Sequence, residues 1–127
     1  MSKYLTNQEI FDKVLTHLVK QGRPARNEDG CVYRTVTPKG EVLKCAVGCL
    51  IPDEAYDKKI EGKRVYALLR EHTAVTLSAM LSMQSQGLLE SLQEAHDSWK
   101  GETDELLRDM KLIARNFKLT FNAESVQ

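Results

Sequence analysis

Thr6-Asn7-Gln8-Glu9-Ile10-Phe11-Asp12-Lys13-Val14-Leu15-Thr16-His17-Leu18-Val19-Lys20-Gln21-Gly22 carries a helix start, an apolar stripe and a helix stop in one unbroken run. Thr6 and Glu9 stand three apart, so the hydroxyl can accept from the exposed amide of Glu9 while that carboxylate returns to the amide of Thr6. Ile10, Phe11, Val14, Leu15, Leu18 and Val19 recur at the pitch of a helix and mark one face for burial. Gly22 and the Pro24 beyond it end the run, which predicts a helix over about 7–21.

The opposite end of the chain carries a second signal of the same kind. Leu106, Leu107, Met110, Ile113, Ala114 and Phe117 form a helical stripe. Glu102, Asp104 and Glu105 crowd its first turn and Arg115 and Lys118 its last, as the helix dipole favours, which predicts a helix over about 102–118. The polar tail beyond Phe121 is expected to fray.

Between the two lies a change of period. Arg23 to Gly30 holds Pro24, Asn27, Asp29 and Gly30 and reads as a surface loop. Cys31-Val32-Tyr33-Arg34-Thr35-Val36, the turn Thr37-Pro38-Lys39-Gly40 and the return Glu41-Val42-Leu43-Lys44 predict a β-hairpin over about 31–44. Short helices are expected over about 45–72. In the first of these Ala46 and Gly48 suit close backbone packing, and Cys45 and Cys49 share a face at i,i+4. Pro52-Asp53-Glu54 marks the next start with Tyr56 inward, and Val65, Tyr66, Leu68 and Leu69 mark another. A helical region over about 73–99 follows, read either as one helix or as two, with Gly87 as the interruption. The whole is expected to be an α+β fold: a mostly helical single domain, residues 1–127, with a small hairpin.

Composition sets the outer limits. The chain has 127 residues, of which 42% are hydrophobic and 28% charged, so it can bury a core. Eighteen basic residues balance eighteen acidic ones, and no net field draws the molecule to nucleic acid or an anionic membrane. Met1 to Asn7 turns polar where a signal peptide would be apolar, and no stretch is long and apolar enough to span a bilayer. Three cysteines, Cys31, Cys45 and Cys49, leave one unpaired in a monomer and suit a reducing compartment. A cytoplasmic location is therefore expected.

Asn7-Gln8-Glu9-Ile10-Phe11-Asp12-Lys13-Val14, Cys31-Val32-Tyr33-Arg34, Leu43 through Glu54 and Leu89-x-x-Leu92-Gln93-x-x-His96-Asp97 together resemble a widespread group of small uncharacterised bacterial and phage proteins. The resemblance implies a bacterial or phage cytoplasmic setting. It carries no catalytic residue onto this chain.

Several residues could carry chemistry. Cys45, at the start of a short helix where amides favour a thiolate, is the candidate nucleophile, with His96 as base beside Asp97; the alternative is a small buried thiol and a histidine flanking an apolar face. Cys31, Cys45 and Cys49 with one histidine could supply four zinc ligands, although Cys31 lies outside a compact knuckle. Lys58, Lys59, Lys63 and Arg64 with Tyr56 and Tyr66 nearby could meet a nucleic-acid backbone, but Asp53, Glu54, Asp57, Glu61 and Glu71 surround them. Neither a dinucleotide fingerprint nor a phosphate loop is present, and no cofactor is expected.

Tyr33, Arg34, Tyr56 and Trp99 are residue types that anchor protein contacts. Val75, Leu77, Met80, Leu81 and Met83 span a broad arc that either fills the core or forms a homodimer seam. The leading expectation is a non-enzymatic accessory or regulatory protein that binds another cytoplasmic protein, with a thiol enzyme and a nucleic-acid-binding protein as the alternatives.

Overall fold

A computed structural model of the chain describes residues 4–122. Met1 to Lys3, and the tail after Asn122 for which fraying was expected, lie outside the described residues.

The helix α1 (Asn7–Gln21) forms where its signals fall. Thr6 Oγ1 accepts from the Glu9 N–H at 3.1 Å and Glu9 Oε1 accepts from the Thr6 N–H at 2.9 Å, closing both halves of the cap. Gly22 adopts a left-handed φ of 76° and donates its N–H to Leu18 O, the conformation glycine takes without steric cost. Ile10, Phe11, Val14, Leu15 and Leu18 are buried as predicted.

The β structure is divided differently from the expected hairpin. The segment read as a loop contains the ribbon β1 (Arg26–Asn27) paired antiparallel with β2 (Gly30–Cys31), and the hairpin proper is β3 (Arg34–Val36) against β4 (Val42–Lys44), with Thr35 opposite Leu43. Cys31 to Val36 is therefore not one strand. Glu61 is the cause: its two carboxylate oxygens accept the N–H groups of Tyr33 and Arg34 at 2.8 and 3.1 Å, offering the backbone an acceptor that no neighbouring strand supplies. The turn at Thr37 to Gly40 forms as read, with Gly40 N–H donating to Thr37 O at 2.9 Å.

Beyond β4 the expected short helices shrink to 3-10 turns at Gly48–Leu50, Asp53–Ala55 and Lys58–Ile60 before α2 (Val65–Glu71). Gly48 is essential to the first. A Cβ built on it would lie 2.0 Å from the backbone oxygen of Tyr33, so only glycine lets this turn press against the hairpin.

The region 73–99 contains two helices, and the break lies earlier than Gly87. Helix α3 (Thr73–Ser78) ends in a left-handed Met80, φ 59°, whose N–H donates to Leu77 O while Leu81 N–H donates to Thr76 O. This is the glycine-type helix stop formed with methionine in the glycine position. Ser82 then accepts from the Gln84 N–H, a 3-10 turn (Met83–Ser85) follows, and α4 (Gln86–Ser98) begins. Gly87 lies inside the first turn of α4, beneath the Phe117 ring.

Helix α5 (Thr103–Asn116) packs along α4, and α2 and α1 pack on α4 from other sides. One continuous core results, from Phe11 and Leu15 of α1 through Leu68, Leu89 and Leu92 to Leu106 and Met110. The chain is an α+β fold, mostly helical, with two small antiparallel ribbons. Among the described residues no helix is long and apolar enough to cross a membrane.

Candidate functional site

The residues that looked chemically active divide into a buried thiol, a closed clip and a salt-bridged cluster. Cys45 is fully buried, and Gly48 N–H donates to its sulfur at 3.2 Å. Burial pushes its thiol far above the ordinary range, with the donors from Gly48 and Gln93 opposing only in part. Cys49 is half-buried, donates to Ala46 O, and is pushed up to about 12 by burial despite Lys44 and Lys13. Burial at both positions disfavours a thiolate, which weighs against Cys45 as a nucleophile.

His96 pairs with Cys31, not with Cys45 and Cys49. Ligand atoms of Cys31, His96 and Asp97 lie within 4.8 Å of one another, and no other group of three or more candidate metal ligands exists among the described residues, so the Cys31, Cys45 and Cys49 set is not assembled. The backbone N–H of Ala25 donates to His96 Nε2 at 2.8 Å, so Nε2 carries no hydrogen. The neutral ring must then carry it on Nδ1, where it is donated to Asp97 Oδ1 at 2.8 Å. A metal-bound histidine offers one lone pair to the ion and donates its other N–H outward, whereas here both nitrogens are committed to protein partners. The same commitment leaves no lone pair to take a thiol proton, so His96 fits neither the base nor the zinc-ligand role.

The cluster instead works as a clip. Arg26 donates from Nη2 to Asp97 O at 2.8 Å and to Trp99 O at 2.7 Å, and from Nε to Cys31 Sγ at 3.3 Å, tying the β1–β2 ribbon to the end of α4. Partial burial raises the Cys31 thiol, with the Arg26 donor working the other way. Burial works against ionisation of Asp97, and the hydrogen bonds donated by His96 and Gln93 work the other way. A thiol-reactive chromophore added at neutral pH should therefore modify exposed Cys31 first, Cys49 slowly, and Cys45 only on unfolding. Rapid native-state modification of Cys45 would contradict this arrangement.

The predicted partner anchors point inward. Tyr33 is 5% exposed and donates its hydroxyl to Lys63 O at 2.6 Å; Trp99 is 1% exposed and donates Nε1–H to Glu102 O at 2.8 Å. Neither side chain is on the surface, which corrects their assignment as contact residues: each aromatic ring fills the core and its polar tip reaches a backbone acceptor. Arg34 lies over the Tyr56 ring at 5.4 Å and pairs with Asp53 at 3.1 Å, while Tyr56 donates its hydroxyl to Glu61 Oε2 at 2.6 Å. These two remain half-buried parts of the Glu61 network.

The basic group is not a continuous patch. Lys58 and Lys59 belong to their own 3-10 turn, and Lys63 pairs with Glu71 at 3.6 Å. Lys63 and Arg64 line a cleft of about 620 Å³ that Glu90, Glu94 and Asp97 also line, so a phosphate entering it would meet carboxylates.

A different surface stands out. A groove of about 730 Å³ runs between the chain leading into α1 and the segment from α3 to Ser85. None of its lining residues is charged; Leu5, Leu69, Leu77, Leu81 and Met83 alternate with hydroxyl and amide side chains. The arc read as core or dimer seam divides here: Val75 and Leu81 are buried, while Leu77, Met80 and Met83 stay 51%, 46% and 41% exposed. The amphipathic period that would have located this surface was present in the sequence; the turn at Met80 that separates its two halves was not.

No family model, no curated protein and no solved structure matches the chain, so its function rests on its own geometry.

Proposed function

We propose that the protein is a non-enzymatic accessory or regulatory protein that acts by binding another cytoplasmic protein, in a bacterium or its phage. The observation that carries this reading is the uncharged groove edged by Leu77 and Met83 in a chain that is 28% charged. Apolar side chains left half in water gain little within the monomer and gain more when a partner covers them. An uncharged rim of hydroxyls and amides suits a neutral, largely apolar polypeptide segment, which they can hydrogen-bond without desolvating a charge. The engagement of both His96 nitrogens and the burial of Cys45 weigh against thiol chemistry, and the acids beside Lys63 and Arg64 weigh against nucleic acid.

Leu77→Glu and Met83→Glu test this reading against Leu112→Glu, which places the same charge on an exposed leucine of α5. In affinity capture from bacterial or phage-infected lysate, the unaltered chain and Leu112→Glu are expected to retain one reproducible partner. Each groove variant should lose at least about 10-fold in affinity for it, the cost typical of an interface anchor. Equal recovery by all four chains would overturn the assignment of the groove.

A further inference from the structure

We infer that the clip is pH-sensitive: the ribbon from Ala25 to Val32 is seated on the end of α4 at neutral pH and released when His96 takes up a proton. The device stands apart from the groove and uses the one histidine that the fold hides completely, 0% exposed. Its Nε2 accepts the Ala25 N–H at 2.8 Å, and its Nδ1–H is donated to Asp97 Oδ1 at 2.8 Å. A proton can enter this ring only at Nε2, because Nδ1 already carries one. The charged ring keeps Asp97, since a hydrogen bond between two ions is the stronger kind, and loses Ala25, since two N–H groups cannot bond to each other.

The surrounding charges place the cost of that proton on the ribbon. Arg26 and Cys31 face the ring from the ribbon, Asp97 from α4 and His17 from α1, with Tyr33 beyond Asp97. Of these only the histidines change charge between about pH 7.5 and about pH 5. Protonation of His17 leaves its own contact intact, because its Nε2–H already donates to Lys44 O and the new proton enters at Nδ1. A charge on His96 instead sets a second cation near the Arg26 guanidinium, and the repulsion weakens the hold of Arg26 on Asp97 O and Trp99 O.

The ribbon is able to leave as a unit. Val32 N–H donates to Ala25 O at 3.1 Å and β1 pairs with β2 inside that loop, so residues 25–32 hold together without α4. Gly22 lies ahead of the unit, and Glu61 fixes Tyr33 just after it. From Ala25 to Val32 only Ala25 is buried, so release returns little of the ribbon's apolar surface to water. The seated ribbon excludes the proton and the released ribbon admits it, so release is favoured as pH falls and seating as pH rises.

Amide hydrogen exchange of the full chain, corrected for the intrinsic rate at each pH, reads the clip at about pH 7.5 and about pH 5. Protection of the Ala25 N–H should fall at least about 10-fold at the lower value, the loss expected when a buried hydrogen bond is unmade. The amides of Met110 and Ile113, inside α5, should keep theirs. His96→Gln, whose amide oxygen accepts the same N–H and does not titrate, should leave Ala25 equally protected at both values. His17→Gln should leave the acid response in place.

Equal protection of Ala25 at the two values in the unaltered chain would overturn the inference, and so would an acid response that survives in His96→Gln. Loss of protection at Met110 and Ile113 together with Ala25 would overturn it as well, because the whole domain would then be unfolding. Should His96→Gln not fold, the unaltered chain decides: along a pH series, double protonation of the His96 ring and loss of Ala25 protection should share one midpoint, and separate midpoints would contradict the coupling.

Discussion

Gly48→Ala is expected to remove most or all of the folding stability, a loss at or beyond the roughly 4 kcal/mol that marks the extreme tail of single substitutions. The added methyl would sit 2.0 Å from Tyr33 O and 2.9 Å from Tyr33 C. Both are backbone atoms, so no side-chain rotation relieves the overlap. The turn and the strand cannot separate cheaply either, since Cys45 N–H donates to that same Tyr33 oxygen at 3.1 Å, and Glu61 fixes Tyr33 from the other side. The matched control is Gly87→Ala. There the new methyl would meet the Phe117 ring at 3.7 Å, an ordinary contact inside a helix, and alanine should stabilise by up to about 1 kcal/mol. Urea unfolding of the two variants should thus move in opposite directions; a small effect of Gly48→Ala would mean that the turn does not press on the hairpin as described.

His96→Leu should cost roughly 3 kcal/mol. Leucine approximates the buried volume but leaves the Ala25 N–H without an acceptor, and an unsatisfied buried donor costs about 1–3 kcal/mol. Asp97 loses its closest donor at the same time, and a carboxylate is more sensitive to that loss than a neutral group. His96→Gln, whose amide oxygen can accept and whose amide nitrogen can donate, should recover part of the difference. Thermal unfolding of the three chains should rank them unaltered, Gln, Leu. If Leu matched the unaltered chain, His96 would have no role in holding the ribbon to α4.

What could be read from the sequence was what local rules govern. The Thr6–Glu9 cap and the stop at Gly22 each depend on residues within a turn of one another and formed as read, while α5 keeps Asp104 and Glu105 in its first turn and Arg115 in its last but has Glu102 as its N-cap and Lys118 beyond its end. The close-packing role of Gly48 was legible from its small, apolar surroundings, although its partner, the oxygen of Tyr33, was not. Glu61 was read only as one of the acids surrounding the basic group, because its value depends on Tyr33, Arg34 and Tyr56 being folded onto it. The strand was drawn too long for the same reason, since β-propensity cannot register that the Tyr33 amide is taken by a carboxylate.

The break at Met80 was missed because methionine is not a residue that signals a left-handed stop, and Gly87 drew the boundary instead. Tyr33 and Trp99 were assigned to the surface by residue type, a criterion that fails whenever the polar tip finds an internal acceptor. His96-Asp97 was recognised as a pair worth placing, but its neighbours Ala25, Arg26 and Cys31 lie some seventy positions away, and only the fold brings them together.

The division between a closed structural clip and an open working surface depends most directly on which nitrogen of His96 holds its hydrogen. Long-range nitrogen–proton correlation spectra of the uniformly ¹⁵N-labelled chain at neutral pH report this for each ring. The structure predicts a protonated Nδ1 and an unprotonated, hydrogen-bond-accepting Nε2. A hydrogen on Nε2, with Nδ1 bare and free to bind an ion or take a proton from Cys31, would contradict the clip and return the cluster to chemistry.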